Sequence, residues 1–419
     1  MRKFTMLLMI AWRNIFRNKR RALLTLSILV LGCSGLVVVG GFFQNMIEGF
    51  GEVFIHSQTG HIQINAKGYH LHGTRAPLDF LIENDKPIRE ILSENPRVSY
   101  AVPRLKLQGM ASTGETGIAV LALGVDPLLE KRMGQFQTSH RNVASTNIVE
   151  GSDLDASDPY GVVVGRGLLQ SLGLKVGDSL NFLTARKAGA LDGAELRVRG
   201  VFETFIKDFD DRSMKMNLKT AQDILGLPNQ IHSLLVILED TADTETAKAE
   251  LEGALKGSGV AAELFTWVEQ GQYYRQSKDL LRQIYMTIQL IMCTIFFFSV
   301  ANTTNMILSE RMREFGTMMA MGNGRGVIFG MIFLETSILG LLGSGLGLLF
   351  ATGVGYLLSA VGIPMQPPQA SGVYICTISL SPEIYLQTFA ISMGSTLLSS
   401  LIPGYRAAHF KIIHALGYV

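Results

Sequence analysis

Four histidines crowd one stretch, HSQTGHIQINAKGYHLH, at positions 56, 61, 70 and 72. Imidazole is the commonest metal ligand among side chains, so His56, His61, His70 and His72 raise the question of a metal centre first. Their spacing matches no helical ligand pair, and the stretch holds no cysteine or close carboxylate to complete a set. The expectation is no metal. Glu335 is the next candidate, because it sits inside the apolar run FGMIFLETSIL, where an ionisable side chain is costly and often functional. With no second buried acid or histidine beside it, we expect a structural group near a membrane boundary, bonded to a hydroxyl such as that of Thr336.

Catalytic patterns are missing from the sequence. It holds no G-x-S-x-G, no Ser-His-Asp arrangement and no paired carboxylates, so an enzymatic role is disfavoured. It also lacks G-x-x-x-x-G-K-[ST], the loop whose backbone amides cradle nucleotide phosphates. Catalytic residues: none are expected. Cys33 and Cys293 lie in apolar runs and Cys376 in a short connector, an odd count that supplies neither a disulfide framework nor metal spacing.

These candidates have to be positioned by a chain that is 47% hydrophobic and 17% charged, with its charges gathered outside a few long apolar runs. That distribution predicts a membrane protein carrying a large polar domain. A net charge of +2 argues against nucleic acid as a partner. The longest element lies at residues 270–309, where a polar, helix-prone run passes without Pro or Gly into IYMTIQLIMCTIFFFSVANTTNMIL. As one helix it spans about 60 Å, roughly twice the hydrocarbon thickness of a bilayer. Half of it must project into water, so it is expected to be both stalk and span. The charged, Gly-punctuated SERMREFGTMMAMGNGRG follows.

Residues 1–21 carry seven Lys or Arg and no acid, opposite apolar residues at helical spacing, and predict an amphipathic helix on an anionic lipid surface. A first span is expected at 22–43, retained rather than cleaved. Residues 44–270 hold alternating short strands and helices, and 142–201 reads as a β-rich subdomain inserted in an α+β domain. After the stalk and span at 271–309 come a charged segment at 310–326, a third span within 327–360, a connector at 361–383, a fourth span at 384–403 and a tail at 404–419. The connector has no Lys or Arg, whereas Arg311, Arg313, Arg325, Arg406 and Lys411 flank the other side. Positive-inside bias then gives four transmembrane α-helices, both termini cytoplasmic, and a large α+β extracytoplasmic domain between spans one and two. Within the third span, Gly340 and Ser344, and Gly343 and Gly347, stand four apart, a spacing that lets helices approach closely and makes them candidates for a subunit interface.

Three stretches carry a resemblance to the FtsX-like permease family, the membrane subunits of ABC transporters that include lipoprotein-releasing and macrolide-export permeases. AWRNIFRNKRRALLTLSILVLG (11–32) is similar to the family's approach to its first span. SERMREFGTMMAMGNGRGVIFGMIFLETSILGLLGSGLG (309–347) resembles its most specific segment, and PGYRAAHFKIIHAL (403–416) its C-terminal motif, with Ile412 where the family usually has Pro. The order of one span, an outer domain and three spans also matches.

The resemblance implies a non-catalytic permease in a bacterial inner membrane, with ATP and Mg held by a partner ATPase present in two copies. It also implies a second permease, identical or paralogous, and contact with the ATPase through residues 310–322. There Glu310, Arg311, Arg313 and Glu314 would make charged contacts, Phe315, Met318 and Met319 an apolar face, and Gly316 and Gly322 the turns. The implied work is mechanical transmission to the outer domain that extracts or expels lipid-linked cargo, lipoprotein release above all, with or without a periplasmic adaptor. Two other readings are a signalling permease that regulates cell-wall hydrolases and a membrane-anchored receptor or adhesin without an ATPase.

Overall fold

Long apolar runs become long helices, and four helices of 27 to 39 residues, one with Pro403 in its interior, dominate one part of this chain. The computed structural model describes Met9, Ala11, Arg13 and residues 19–73, 76–138, 141–187, 189–204, 207–365 and 374–409. Most of the expected amphipathic helix at 1–21, the middle of the 361–383 connector and the tail beyond 409 lie outside these. The chain divides into two units: Met1–Ile47 with Lys278–Ile363 and Ile375–Val419, and Glu48–Ser277 with Pro364–Tyr374.

Five helices supply the first unit: α1 (Lys19–Phe54), α2 (Gln272–Glu310), the short α3 (Met312–Ala320), α4 (Arg325–Val361) and α5 (Pro382–Ala408). Three stretches among the described residues are long and apolar enough to cross a membrane: Ala22–Thr59, Tyr274–Glu310 and Arg325–Val361. Helix α1 thus runs past residue 43, where a span of ordinary length would end. Helix α5 covers the expected fourth span but falls short of that hydropathy standard. Its buried face carries Thr388, Ser392, Ser395, Thr396, Ser399 and Ser400 where an ordinary span carries aliphatic side chains.

Leu29, Cys33 and Leu36 of α1 pack on Phe296 and Val300 of α2. Helix α4 reaches α1 through glycines, because a Cβ at Gly343 would stand 2.7 Å from Leu29 Cβ and one at Gly347 2.7 Å from Cys33 Cβ. Gly340 meets the Thr396 methyl of α5, and Ser344 is fully buried with its hydroxyl on the Gly340 carbonyl. The four positions expected at a subunit interface are therefore filled by the chain's own helices. Small residues are what backbones need to approach this closely, and the nearest available backbones are those of α1 and α5. Gly347→Val should destabilise the purified chain by about 1–3 kcal/mol through overpacking. Gly353→Val, at a site with nothing within 4 Å, should leave the unfolding midpoint in detergent unchanged.

The second unit is built on a ten-stranded mixed sheet. Its strands are β1 (Ile62–Ala66), β2 (Val98–Ser112), β3 (Gly117–Val125), β6 (Thr146–Gly151), β7 (Gly161–Gly165), β8 (Ser179–Ala185), β9 (Leu191–Thr204), β10 (Ser213–Asn217), β11 (Ser233–Leu238) and β12 (Ala262–Thr266). The strands β4 (Gln135–Thr138) and β5 (Arg141–Ala144) form a separate hairpin. The sheet order is β12-β1-β11-β2-β3-β10-β7-β9-β6, with β8 paired to both β2 and β9. Parallel pairing of β10 with β3 and of β7 with β9 needs crossovers, and the helices Leu218–Leu225 and Arg166–Leu172 lie beside those strands.

The strands of 142–201 join this common sheet rather than standing apart, because the 14-residue β9 pairs with β6, β7 and β8 while β8 reaches across to β2. Two apolar clusters result. One is centred on Phe182, Leu105 and Met214. The other lies between Ile62, Ile64 and Val236 of the sheet and the helices Lys86–Glu94 and Thr244–Gly257.

Candidate coupling segment and a buried histidine pair

Between α2 and α4 the chain turns twice. Arg311 leaves helical geometry at φ −102° and ψ 12°, which separates α2 from α3. At the far end, Gly322 adopts φ +90°, its N–H bonds the Met319 carbonyl, and the Asn323 N–H bonds that of Met318. This pattern satisfies two orphan carbonyls of α3 and calls for a residue without a Cβ penalty at 322. Gly322 is thus the cap that ends α3.

The side chains of this segment divide by face. Phe315 is 4% exposed, packed with Leu308, Ile328, Met331, Ile332 and Ala407, and Gly316 is buried beside it. Met318 and Met319 are half-buried against the same cluster. Glu310 and Arg313 are exposed and Glu314 half-exposed, as is Met321 at 75%. Phe315 therefore supplies no outward apolar face: its ring is needed to seat α3 on α4. Met321, not singled out in the sequence, is the exposed apolar residue of this turn.

Arg311 also turns inward. Its Nη1 donates to Glu335 Oε2 at 3.0 Å, its Nε donates to Glu314 Oε2 at 2.9 Å, and its guanidinium lies 5.2 Å from the centre of the Phe315 ring. Both Arg311 and Glu335 are more than nine-tenths buried. This corrects two expectations. Glu335 is held by an arginine rather than by Thr336, whose hydroxyl is spent on the Ile332 carbonyl of its own helix. Arg311 is an internal anchor rather than a surface charge, since two carboxylates offer it more than solvent would leave exposed. A cavity of about 20 Å³, room for a single water, lies next to Glu335, Thr25, Thr304 and Thr336.

In the second unit, two of the four histidines come together. A helical turn with π geometry, Ile55–Thr59, follows α1 and ends where Gly60 takes φ +64°. Glu52, His56 and His61 there bring one ligand atom each to within 4.8 Å of one another. The carboxylate that the histidine stretch lacks lies one turn upstream, and the signal was the Glu52/His56 spacing of four on a helix that runs past residue 43. His70 and His72 do not join them; they stack on Phe265 and Phe80.

The hydrogen bonds decide what this trio can hold. His56 Nδ1 donates to the Met133 carbonyl at 3.0 Å, its ring stacks on Phe136, and its Nε2 lies 3.6 Å from Glu52. Leu238 N–H donates to His61 Nδ1 at 3.2 Å. The proton of a neutral His61 must then sit on Nε2, which donates to Thr241 Oγ1 at 3.0 Å, and Thr241 Oγ1 donates to Glu52 Oε1 at 2.6 Å. A metal on Nε2 would need both nitrogens of His61 unprotonated, so the donor set fits protons better than a cation. Burial pushes His61 down to about 4, against the pull of Glu52 and with the push of His56.

Arg104 of β2 holds the same turn from another side, donating to the carbonyls of Gln58 at 2.8 Å and Ser57 at 3.0 Å. Its other partner is Glu130 at 2.9 Å, which also accepts from Lys215 Nζ at 2.8 Å. Burial alone would raise the Glu130 carboxyl, but Arg104 and Lys215 together hold it down at about 2.

Long apolar helices joined through continuous chain to a mixed-sheet domain, with a capped and charged turn between two of those helices, define a membrane permease with an extramembrane domain. Residues 22–254 match the family model of the MacB-like periplasmic core domain, and residues 286–412 match that of the FtsX-like permease C-terminal region. The chain belongs to the ABC transporter permeases of this FtsX/MacB type.

It is 25% identical over 296 residues to the uncharacterized ABC transporter permease protein Rv0987 of Mycobacterium tuberculosis, covering 69% of this chain and 32% of that one. It is 23% identical over 276 residues to the uncharacterized ABC transporter permease MJ1507 of Methanocaldococcus jannaschii, covering 64% and 65%. The match thus spans about a third of the first relative's own length and just under two thirds of the second's. The crystal structure of the periplasmic region of MacB from Actinobacillus actinomycetemcomitans aligns at 14% identity and a TM-score of 0.37, over 52% of this chain and 94% of that one.

Proposed function

We propose that this chain is the membrane subunit of an ABC transporter, working with two copies of a separate ATPase and with a second permease, identical or paralogous. In this reading α1, α2, α4 and α5 are four spans of a bacterial inner membrane, both termini are cytoplasmic, and the mixed-sheet unit lies outside. The observation that carries it is the construction of residues 310–322. A short helix is anchored from within by Arg311 and Phe315 and capped by Gly322, and it leaves Glu310, Arg313 and Met321 facing outward. Such a knob offers a partner charge and one soft apolar side chain on a fixed base. ATP and Mg belong to that partner, and α2, unbroken from Gln272 to Glu310, would carry its movement toward the outer unit.

The cargo we favour is lipid-linked, with lipoprotein release as the specific case, because the helices expose broad apolar faces. Arg313→Glu should abolish co-purification of a P-loop ATPase from detergent-solubilised membranes while leaving membrane insertion intact. Undiminished recovery of the ATPase with the variant would sink the docking assignment. Recovery of the wild-type chain without any ATPase would favour a receptor or adhesin.

A further inference from the structure

We propose that Glu52, Thr241 and His61 form a proton-operated catch that fastens the end of helix α1 to the end of strand β11 and the loop after it, closed at neutral pH and released by acidification. The geometry carries this. Leu238 N–H can bond His61 only while Nδ1 keeps its lone pair, and that single requirement fixes the direction of every bond onward through Thr241 to Glu52. A second proton on His61 places two N–H groups face to face at Nδ1 and breaks the side-chain bond to Leu238. The ring is 2% exposed, so neither water nor a rotamer change is at hand to absorb the new charge.

The charged and titratable groups around His61 are Glu52 from α1, His56 from the turn itself and Asp240 from the loop after β11. The two carboxylates favour a charged ring, while burial and His56 oppose it, and burial is the largest effect. The sign follows. His61 is depressed in the closed state to about 4 from an ordinary value of 6.5, so closure is fully favoured above 6.5 and is progressively lost as pH falls toward 4. Between pH 7.5 and pH 5.5 the closed-to-open ratio should fall about tenfold. Release would undo only the side-chain link between Glu52, Thr241, His61 and Leu238, while Arg104 still holds the carbonyls of Ser57 and Gln58 and the His61 backbone N–H still bonds the Val236 carbonyl. The catch is thus a partial uncoupling rather than unfolding.

The test is hydrogen exchange of the full chain in detergent micelles, followed in peptides covering 233–240 and corrected for the intrinsic pH dependence of exchange. Protection at Leu238 should drop about tenfold from pH 7.5 to pH 5.5. His61→Asn keeps an acceptor near the Nδ1 position but cannot titrate, and its protection should be independent of pH over this range. A flat wild-type profile overturns the proposal, and so does an equal slope in His61→Asn. Stronger protection on adding zinc at pH 7.5 would also overturn it, by making the trio a metal site. The wild-type profile by itself decides the matter if the variant does not accumulate.

Discussion

Glu335→Leu is expected to cost the chain about 3–5 kcal/mol, because it takes from the buried Arg311 guanidinium the more buried of its two carboxylate partners. Arg311→Met should also destabilise, by taking the guanidinium away from the buried Glu335 carboxylate. The double variant Arg311→Met/Glu335→Leu should recover most of the loss, since two apolar side chains of like volume remove the desolvation penalty along with the attraction. The three variants and the wild type would be compared by thermal unfolding in detergent, with the monodisperse fraction after heating as readout. Strictly additive losses would mean that the two side chains do not act as a pair. Should the double variant be stable yet fail to retain an ATPase, the pair's contribution lies in aiming α3 rather than in holding the fold.

The second large effect is expected at Glu130. Glu130→Gln leaves Arg104 and Lys215, two buried cations, facing a neutral amide, and should also cost about 3–5 kcal/mol. Lys215→Met should cost less, because Arg104 still neutralises the carboxylate and the Phe202 ring already lies beside the lysine head. Acid should reproduce the Glu130 loss, but late. The carboxyl is held at about 2 in the fold against an ordinary 4.5, so its contribution is complete above 4.5 and disappears as pH falls toward 2. Midpoints of thermal unfolding across that range, in wild type and Glu130→Gln, would show the two curves converging at the acid end. Parallel curves would remove Glu130 from the account.

The long helix α2 and the turns around α3 were legible because their signals are local: an apolar run without breakers, a charge cluster, and a glycine where a helix must stop. The alternation of short strands and helices between residues 44 and 270 was legible for the same reason. What could not be read was which side of a short helix faces inward. Arg311 and Phe315 look like any exposed pair of a charged turn until Glu335, 24 positions on, supplies a buried carboxylate. The choice of Thr336 for Glu335 was the nearest hydroxyl in sequence, yet inside a helix that hydroxyl already has the carbonyl four residues back.

The histidine pair failed on distance in the opposite direction. Glu52 lies on the continuation of α1 beyond the span expected at 22–43, and Thr241 lies 180 residues from His61. The sheet order also depends on long-range pairings, such as β1 with β11 and β2 with β8, which alternation patterns do not record.

Helix α5 has a consequence beyond its modest hydropathy. Ser395, Thr396, Ser399 and Ser400 all donate their protons to carbonyls of their own helix, at Ile391, Ser392, Thr396 and Leu397. Polar groups that are satisfied at home make few demands on a neighbour. Helix α5 is therefore held to α4 by dispersion contacts such as that of the Thr396 methyl with Gly340, together with the hydroxyl pair of Thr352 and Tyr385 at 2.7 Å, while Ser395 also meets Cys293 Sγ of α2 at 3.1 Å.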